Sequence, residues 1–286
     1  MKKRIWSVMF LLLSLVSCAK EDNSKTIYAS FYPIYDFAKR IVGDKFVVKN
    51  LTPPGSEPHD YEPTAKEVAG MIDSPLLLLN GLGLDHWTES MPRELKEKAF
   101  VVTEGIDTLS INGVVDPHVW LSVKNAATEL TNIYERIVKL DPSNASYYKT
   151  NYESAYADLV SLDNEFKEAT KDLAHKYLVV SHAAFGYLCD EYGFTQYYLS
   201  GLEPDSAPTA KTKERIVELI KEYQISTIFY EEYVGSDIAD SLAEETGIKV
   251  DVLNPLEGLS QVELEQGEDY ISVMRSNLDK IVRSCQ

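Results

Sequence analysis

His59, His118 and His182 are three of only five histidines in the 286-residue chain, and each stands in a loop or directly after an apolar run. Neutral imidazole is a common zinc ligand, and three of them brought together make a nitrogen-rich coordination site. Their surroundings suit that use. His59 sits in Pro53-Pro54-Gly55-Ser56-Glu57-Pro58-His59-Asp60-Tyr61-Glu62-Pro63-Thr64, and His118 in Asp116-Pro117-His118-Val119-Trp120-Leu121. Proline-flanked loops have less conformational freedom to lose on binding. No short-spaced signature such as H-E-x-x-H is present, so each histidine alone reads as a surface or hydrogen-bonded group. His86 and His175 are read in that plainer way, His175 at a helix end where positive charge is favourable.

Histidines so distant in sequence meet only if a scaffold gathers their loops. Short β-rich apolar runs at Thr26–Phe31, Phe46–Leu51, Leu76–Asn80 and Phe100–Thr103 alternate with helical stretches at Ile34–Ile41, Thr64–Ile72 and Leu84–Lys98. The rhythm returns with strands at Tyr177–Ser181, Thr195–Leu199, Thr227–Tyr230 and Lys249–Leu253, and helices near Ala184–Tyr192, Thr209–Tyr223 and Asp237–Thr246. Such alternation predicts an α/β fold with mainly parallel sheets flanked by helices. In open sheets of this kind, ligands gather where loops converge at the carboxyl ends of strands.

The middle of the chain divides it in two. Helical stretches Val123–Leu140 and Ser143–Ala174 flank Asp141-Pro142, and the second carries one apolar face from Tyr148 through Tyr152, Ala155, Leu159, Leu162, Phe166 and Ala169 to Leu173. The expected organisation is a first lobe at 26–142, a rigid connecting helix at 143–175 and a second lobe at 176–286, each lobe built on a four-stranded sheet. The helix would span roughly 48 Å and resist large lobe closure.

The N-terminus reads as a targeting segment rather than part of the fold. Lys2, Lys3 and Arg4 precede a short apolar run that ends in Leu15-Val16-Ser17-Cys18, too short for the roughly 20 residues of a membrane span. It looks like a lipoprotein signal peptide (1–17) with lipid attached to Cys18 and a polar tether (18–25). Loss of Lys2, Lys3 and Arg4 moves the formal charge from −17 to −20, which argues against nucleic acid and against adsorption to anionic lipid. Cys189 and Cys285 remain, and the sequence leaves open whether they pair.

The motifs resemble those of the metal-specific solute-binding proteins of ABC importers, the zinc and manganese cluster. The matching segments are the lipobox at Cys18, Phe31-Tyr32-Pro33, Pro58-His59-Asp60-Tyr61-Glu62-Pro63-Thr64, Asp116-Pro117-His118-Val119-Trp120-Leu121, Ser181-His182-Ala183-Ala184-Phe185 and Asn254-Pro255-Leu256-Glu257, spread in order over the mature chain. The resemblance implies two α/β lobes with a metal buried in the cleft between them. It implies His59 and His118 as ligands from the first lobe and His182 as the first ligand of the second. Manganese-type members carry a carboxylate at that third position and zinc-type members a histidine, so Zn²⁺ is the expected cargo and Mn²⁺ the alternative. For the fourth ligand, Asn254 stands where many members have aspartate, and Glu257 matches the glutamate of a subset with N-P-L-E. Water, Glu231 or Glu232 are the substitutes; as plain residues the two glutamates read as solvated loop charges. Many zinc-type members insert a histidine-rich run before the second ligand, whereas Glu104–Val115 here contains no histidine. Trp120 is expected to shield the site from water.

The implied function is extracytoplasmic capture of Zn²⁺ by a membrane-anchored monomer and delivery to an ABC permease with its ATPase subunit; the chain itself carries no P-loop. Two other readings stand beside it. A zinc hydrolase would use the three histidines with a bound water and Asp60 or Glu257 as base. A surface adhesin is a role that the resemblance also allows, without any dedicated adhesive module in the sequence.

Overall fold

The computed structural model describes residues 23–204, 206–231 and 235–286. The expected signal peptide, Cys18, most of the tether and Glu232 lie outside the described residues. The first lobe runs β1 (Thr26–Ala29), α1 (Tyr32–Val42), β2 (Val47–Asn50), α2 (Ala65–Asp73), β3 (Leu76–Leu79), α3 (Arg93–Lys96) and β4 (Ala99–Val101). Its four strands are all parallel, in the order β2-β1-β3-β4. Every side chain of β1 and β3 is buried, as expected of strands covered on both faces.

A small hairpin, β5 (Ser110–Ile111) and β6 (Val114–Val115), and two long helices follow, α4 (Val123–Leu140) and α5 (Ala145–Thr170). Then come β7 (Tyr177–His182), α6 (Gly186–Tyr192), β8 (Thr195–Ser200), α7 (Ala210–Tyr223), β9 (Thr227–Tyr230), α8 (Asp237–Thr246), β10 (Lys249–Val252), α9 (Gln261–Gln266) and α10 (Tyr270–Ser284). The second sheet is parallel in the order β10-β9-β7-β8, the same winding as the first. In both, the chain switches direction beside the first strand, and a crevice opens at the strands' carboxyl ends.

Several sequence expectations need correction. The helix expected over Leu84–Lys98 is a 3₁₀ turn at His86–Ser90 followed by the single-turn α3. Pro92 is the cause: it brings no N–H, and it holds Met91 extended at ψ 143°. The connecting helix expected over 143–175 opens with a 3₁₀ turn at Pro142–Asn144 and runs as α-helix for only 26 residues, roughly 39 Å. Leu173 falls outside it but still packs on the core from the turn into β7. The stretch Glu104–Val115 contains a hairpin that no strand expectation covered, because Asn112 and Gly113 both accept positive φ (52° and 85°) as a tight two-residue turn requires.

The terminal helix α10 buries Tyr270, Met274, Leu278 and Ile281 and is capped by Asp269, which accepts from Ser272 N at 2.9 Å. It joins α1, α4 and α5 in one apolar core that reaches both sheets, from Ile27 and Leu78 to Leu178 and Phe229. Separate clusters cover the outer faces, Met71 and Trp87 in the first lobe and Ile216 and Ile228 in the second. Polar ties cross the middle as well. Arg40 on α1 bridges Asp36 at 2.9 Å and Asp269 at 2.5 Å, and Tyr270 donates to the Trp120 carbonyl at 2.6 Å. Cys189 and Cys285 are both buried free thiols. No described helix is long and apolar enough to cross a membrane.

Candidate metal centre

Four loops and strand ends deliver the site. His59 lies in the loop between β2 and α2, where Ser56 N bonds to Pro53 O and Gly55 N reaches across to Leu259 O at 3.1 Å. His118 follows Pro117, whose carbonyl accepts from Asn80 Nδ2 at 3.0 Å, so the end of β3 fixes that segment. His182 is the last residue of β7, and its neighbour Ala183 donates to Gly201 O at 2.9 Å just beyond β8. Glu257 follows β10 through a strained turn. Leu256 has φ 58°, and Asn254 Oδ1 compensates by accepting from Leu256 N at 2.7 Å. Trp120 Nε1 donates to Pro255 O at 2.7 Å and pins the same turn to the first lobe.

These paths bring His59, His118, His182 and Glu257 together, all buried, with one donor atom from each within 4.8 Å of the others. His118 Nε2 stands 3.1 Å from His59 Nε2 and 3.2 Å from His182 Nε2. Glu257 Oε1 lies 3.0 Å from His118 Nε2, 3.4 Å from His59 Nε2 and 3.5 Å from His182 Nε2. Four ligand atoms at about 2.0–2.1 Å from a tetrahedral zinc would be separated by about 3.3 Å. The spacing therefore suits a tetrahedral cation, and the four donors that face one another there are nearly desolvated. Trp120 packs 5.3 Å from His118, ring centre to ring centre, and closes the inner wall against water.

Behind each histidine stands an acid. Asp116 Oδ1 accepts from His118 Nδ1 at 2.7 Å and from its backbone N at 3.0 Å, in a spot so tight that a Cβ on Gly186 would lie 2.8 Å from Asp116 Oδ2. Glu231 Oε1 meets His182 Nδ1 at 2.5 Å and accepts from Ser181 Oγ at 3.0 Å. Glu203 Oε2 lies 3.5 Å from His59 Nδ1. For His118 and His182 the bond at Nδ1 turns Nε2 inward, where it can ligate once it carries no proton.

The electrostatics have the same sense. Burial alone would lower the pKa of His118, but Asp116 and Glu257 outweigh it and push the ring up to about 10. Burial would raise the Glu257 carboxyl, yet His182, His118 and His59 hold it well below the usual carboxylate range. Glu57, half-buried next to this charge, is pushed up to about 9 by its own desolvation and by Glu257. A protonated His118 thus occupies the place of a cation's charge, and a metal entering the site must expel that proton.

The remaining sequence candidates fall elsewhere. Glu231 is neither a solvated loop charge nor one of the four converging donors; it is buried behind His182. Asn254 shapes the turn that carries Glu257. Asp60 is exposed. His86 stands half-exposed beside Glu62 at 3.3 Å, away from the centre. His175 lies beyond the end of α5, stacked on Tyr177, and partial burial lowers its pKa. Reading the sequence missed Asp116 and Glu203 as partners of the histidines. Asp116 had a signal, its position two residues before His118; Glu203 had none.

Residues 27–284 match the family model described as "Zinc-uptake complex component A periplasmic", ZnuA. The chain belongs to this family. ZnuA-family members are components of a transport complex rather than enzymes. The chain is 38% identical over 96% of its length, and 96% of the relative's, to the high-affinity zinc uptake system protein ZnuA of Bacillus subtilis. It is 32% identical over 98% of its length to the zinc-binding protein AdcA of Streptococcus pyogenes, but spans only 61% of that longer protein. The crystal structure of the Zn(II)-bound ZnuA-like domain of Streptococcus pneumoniae AdcA superposes with a TM-score of 0.82 at 34% identity, covering 92% of this chain and 99% of that domain.

Proposed function

We propose that this chain captures Zn²⁺ outside the cytoplasm through His59, His118, His182 and Glu257 and hands it to an ABC permease driven by its ATPase subunit. The observation that carries the reading is the convergence of three Nε2 atoms and one carboxylate oxygen at tetrahedral spacing. Three imidazoles with one carboxylate suit zinc better than the harder Mn²⁺. Four protein donors fill a tetrahedral ion's sphere and leave no position for an activated water, which separates a carrier's site from a hydrolytic one. Lipidated Cys18 tethers the chain to the membrane, and the chain acts as a monomer.

Elemental analysis of purified protein, followed by Zn²⁺ and Mn²⁺ competition on the wild type and on His118→Ala, tests the site. Zinc bound at one equivalent, preferred over manganese and far more weakly held in the variant is the expected result; wild-type zinc affinity in His118→Ala would sink the assignment. Growth of a deletion strain under zinc limitation, with and without added zinc, tests the transport role. Metabolic labelling with palmitate in the wild type and Cys18→Ala tests the anchor.

A further inference from the structure

The three acids behind the histidines are not equivalent. Asp116 and His118 belong to the first lobe, Glu231 and His182 to the second, and both acids are buried, so each pair is complete within its own lobe. His59 is different: it belongs to the first lobe, while Glu203 belongs to the loop after β8 in the second. Glu203 is also 68% exposed at its side chain, against 1% for Asp116 and 4% for Glu231. Among the described residues, Glu203 is the acid within ion-pair distance of His59 Nδ1; Glu57 reaches only the His59 backbone N, at 3.3 Å. The loop holding Glu203 is itself tied down next to the centre, since Gly201 O accepts from Ala183 N at 2.9 Å and Glu203 O from Ser206 N at 3.3 Å.

We propose that Glu203 is a positioning residue that latches His59 across the cleft, so that the second lobe holds the outermost ligand in place and zinc leaves by the opening of this contact. The inference rests on His59 being a ligand, as proposed above. A ring that coordinates through Nε2 carries its proton on Nδ1 and needs an acceptor there to fix its orientation. For His118 and His182 that acceptor lies inside the same lobe and is shielded from water, so lobe separation leaves it untouched. For His59 it lies on the other lobe and in contact with solvent, so a small movement at the mouth removes it while the acceptors of His118 and His182 stay in place. Water and salt weaken such an exposed contact. The site is therefore tightest at its base and releasable at its mouth, which is what a carrier that must both capture and surrender its ion requires.

Stopped-flow release of zinc into excess chelator, on full-length protein, tests the latch. Glu203→Gln is expected to release zinc faster by roughly 3- to 10-fold, the low end of losses at outer partners of metal-bound histidine because the contact is exposed. Association should stay within about two-fold, and the melting temperature of the metal-free protein should not move. Glu203→Asp, which keeps the charge, should recover part of the slow release. In a His59→Ala background, Glu203→Gln should have no further effect. Unchanged zinc affinity in His59→Ala would overturn the ligand reading beneath the latch. Lowered affinity in His59→Ala with wild-type release in Glu203→Gln would overturn the latch alone. The latch also fails if Glu203→Gln mainly slows capture, which would mark a steering charge, or speeds release equally without His59.

Discussion

His118 and His182 come to the centre from opposite lobes yet are held alike: each ring is fully buried and bonded through Nδ1 to a buried acid of its own lobe. His59 comes from a proline-bounded loop, stays 8% exposed and leans on an acid that water also reaches. One half of the centre is built like a protein core and the other like a surface. In a core, orientation is fixed before the ligand arrives, and affinity comes cheaply in entropy. At a surface, part of the ordering waits until binding.

The largest test of that contrast is ligand removal. His118→Ala should weaken zinc binding on the order of 100- to 1,000-fold, about a quarter of the roughly 10–16 kcal/mol of a four-ligand structural site. His59→Ala should cost less, since water can fill an outer position. Chelator-competition titrations give both values, and equal losses would erase the distinction. Next in size are the buried acids. Asp116→Asn and Glu231→Gln should each lower affinity on the order of 10- to 100-fold, more than Glu203→Gln, and the reverse ranking would contradict the division.

Proton linkage comes third. The metal-free protein holds a proton on His118 up to about pH 10, above the ring's unfolded value near 6.5. Zinc must displace it, so zinc affinity rises with pH, about tenfold per pH unit for one proton, and levels off above pH 10. Calorimetry in buffers of different ionisation enthalpy counts the protons released; none at pH 7.5 would refute the assignment. The same proton stabilises the metal-free fold fully below about pH 6.5, and that contribution disappears as pH rises through 10.

The smallest effect concerns a buried acid that holds nothing. Glu129 on α4 is fully buried with neither carboxyl oxygen bonded, and desolvation pushes its pKa to about 8. The folded state therefore binds an extra proton between the ordinary value of 4.5 and about 8, and stability falls as pH rises through that window. Glu129→Gln should flatten this slope in urea melts from pH 5 to pH 8.5 while zinc affinity stays unchanged. An unaltered slope would show that Glu129 ionises as freely as a surface acid.

The eight strands of the two parallel sheets were legible in the sequence because apolar runs such as Leu76–Leu79 are a local pattern, whereas the three converging histidines were singled out by the resemblance that motifs such as Asp116-Pro117-His118 carry. Glu257 was legible only through resemblance, since nothing local says that Asn254 will fold back on Leu256 and turn the glutamate inward. Glu231 was named as a substitute ligand, but its place behind His182, like that of Glu203 beside His59, was invisible for a stronger reason. Glu231 reaches its ring because β9 lies beside β7, and Glu203 reaches His59 because two lobes meet; sequence spacing holds no trace of either. Two plain local signals were passed over: Pro92, outweighed by the apolar spacing around it, and Asn112-Gly113, which marks the hairpin before His118.

The docking of α10 on α1 has one more consequence. Tyr270 N approaches Asp36 Oδ2 at 3.4 Å and Arg40 grips Asp269, contacts that span well over 200 residues of chain. The first helix thus packs on α4 and α5 well before the chain is finished, but it gains these contacts with α10 only when the last helix has been made. Long-range closure of this kind delays folding. The core is completed only when Tyr270–Ser284 seats against α5 and α1, so shortening the chain from its C-terminus would open both helices at once.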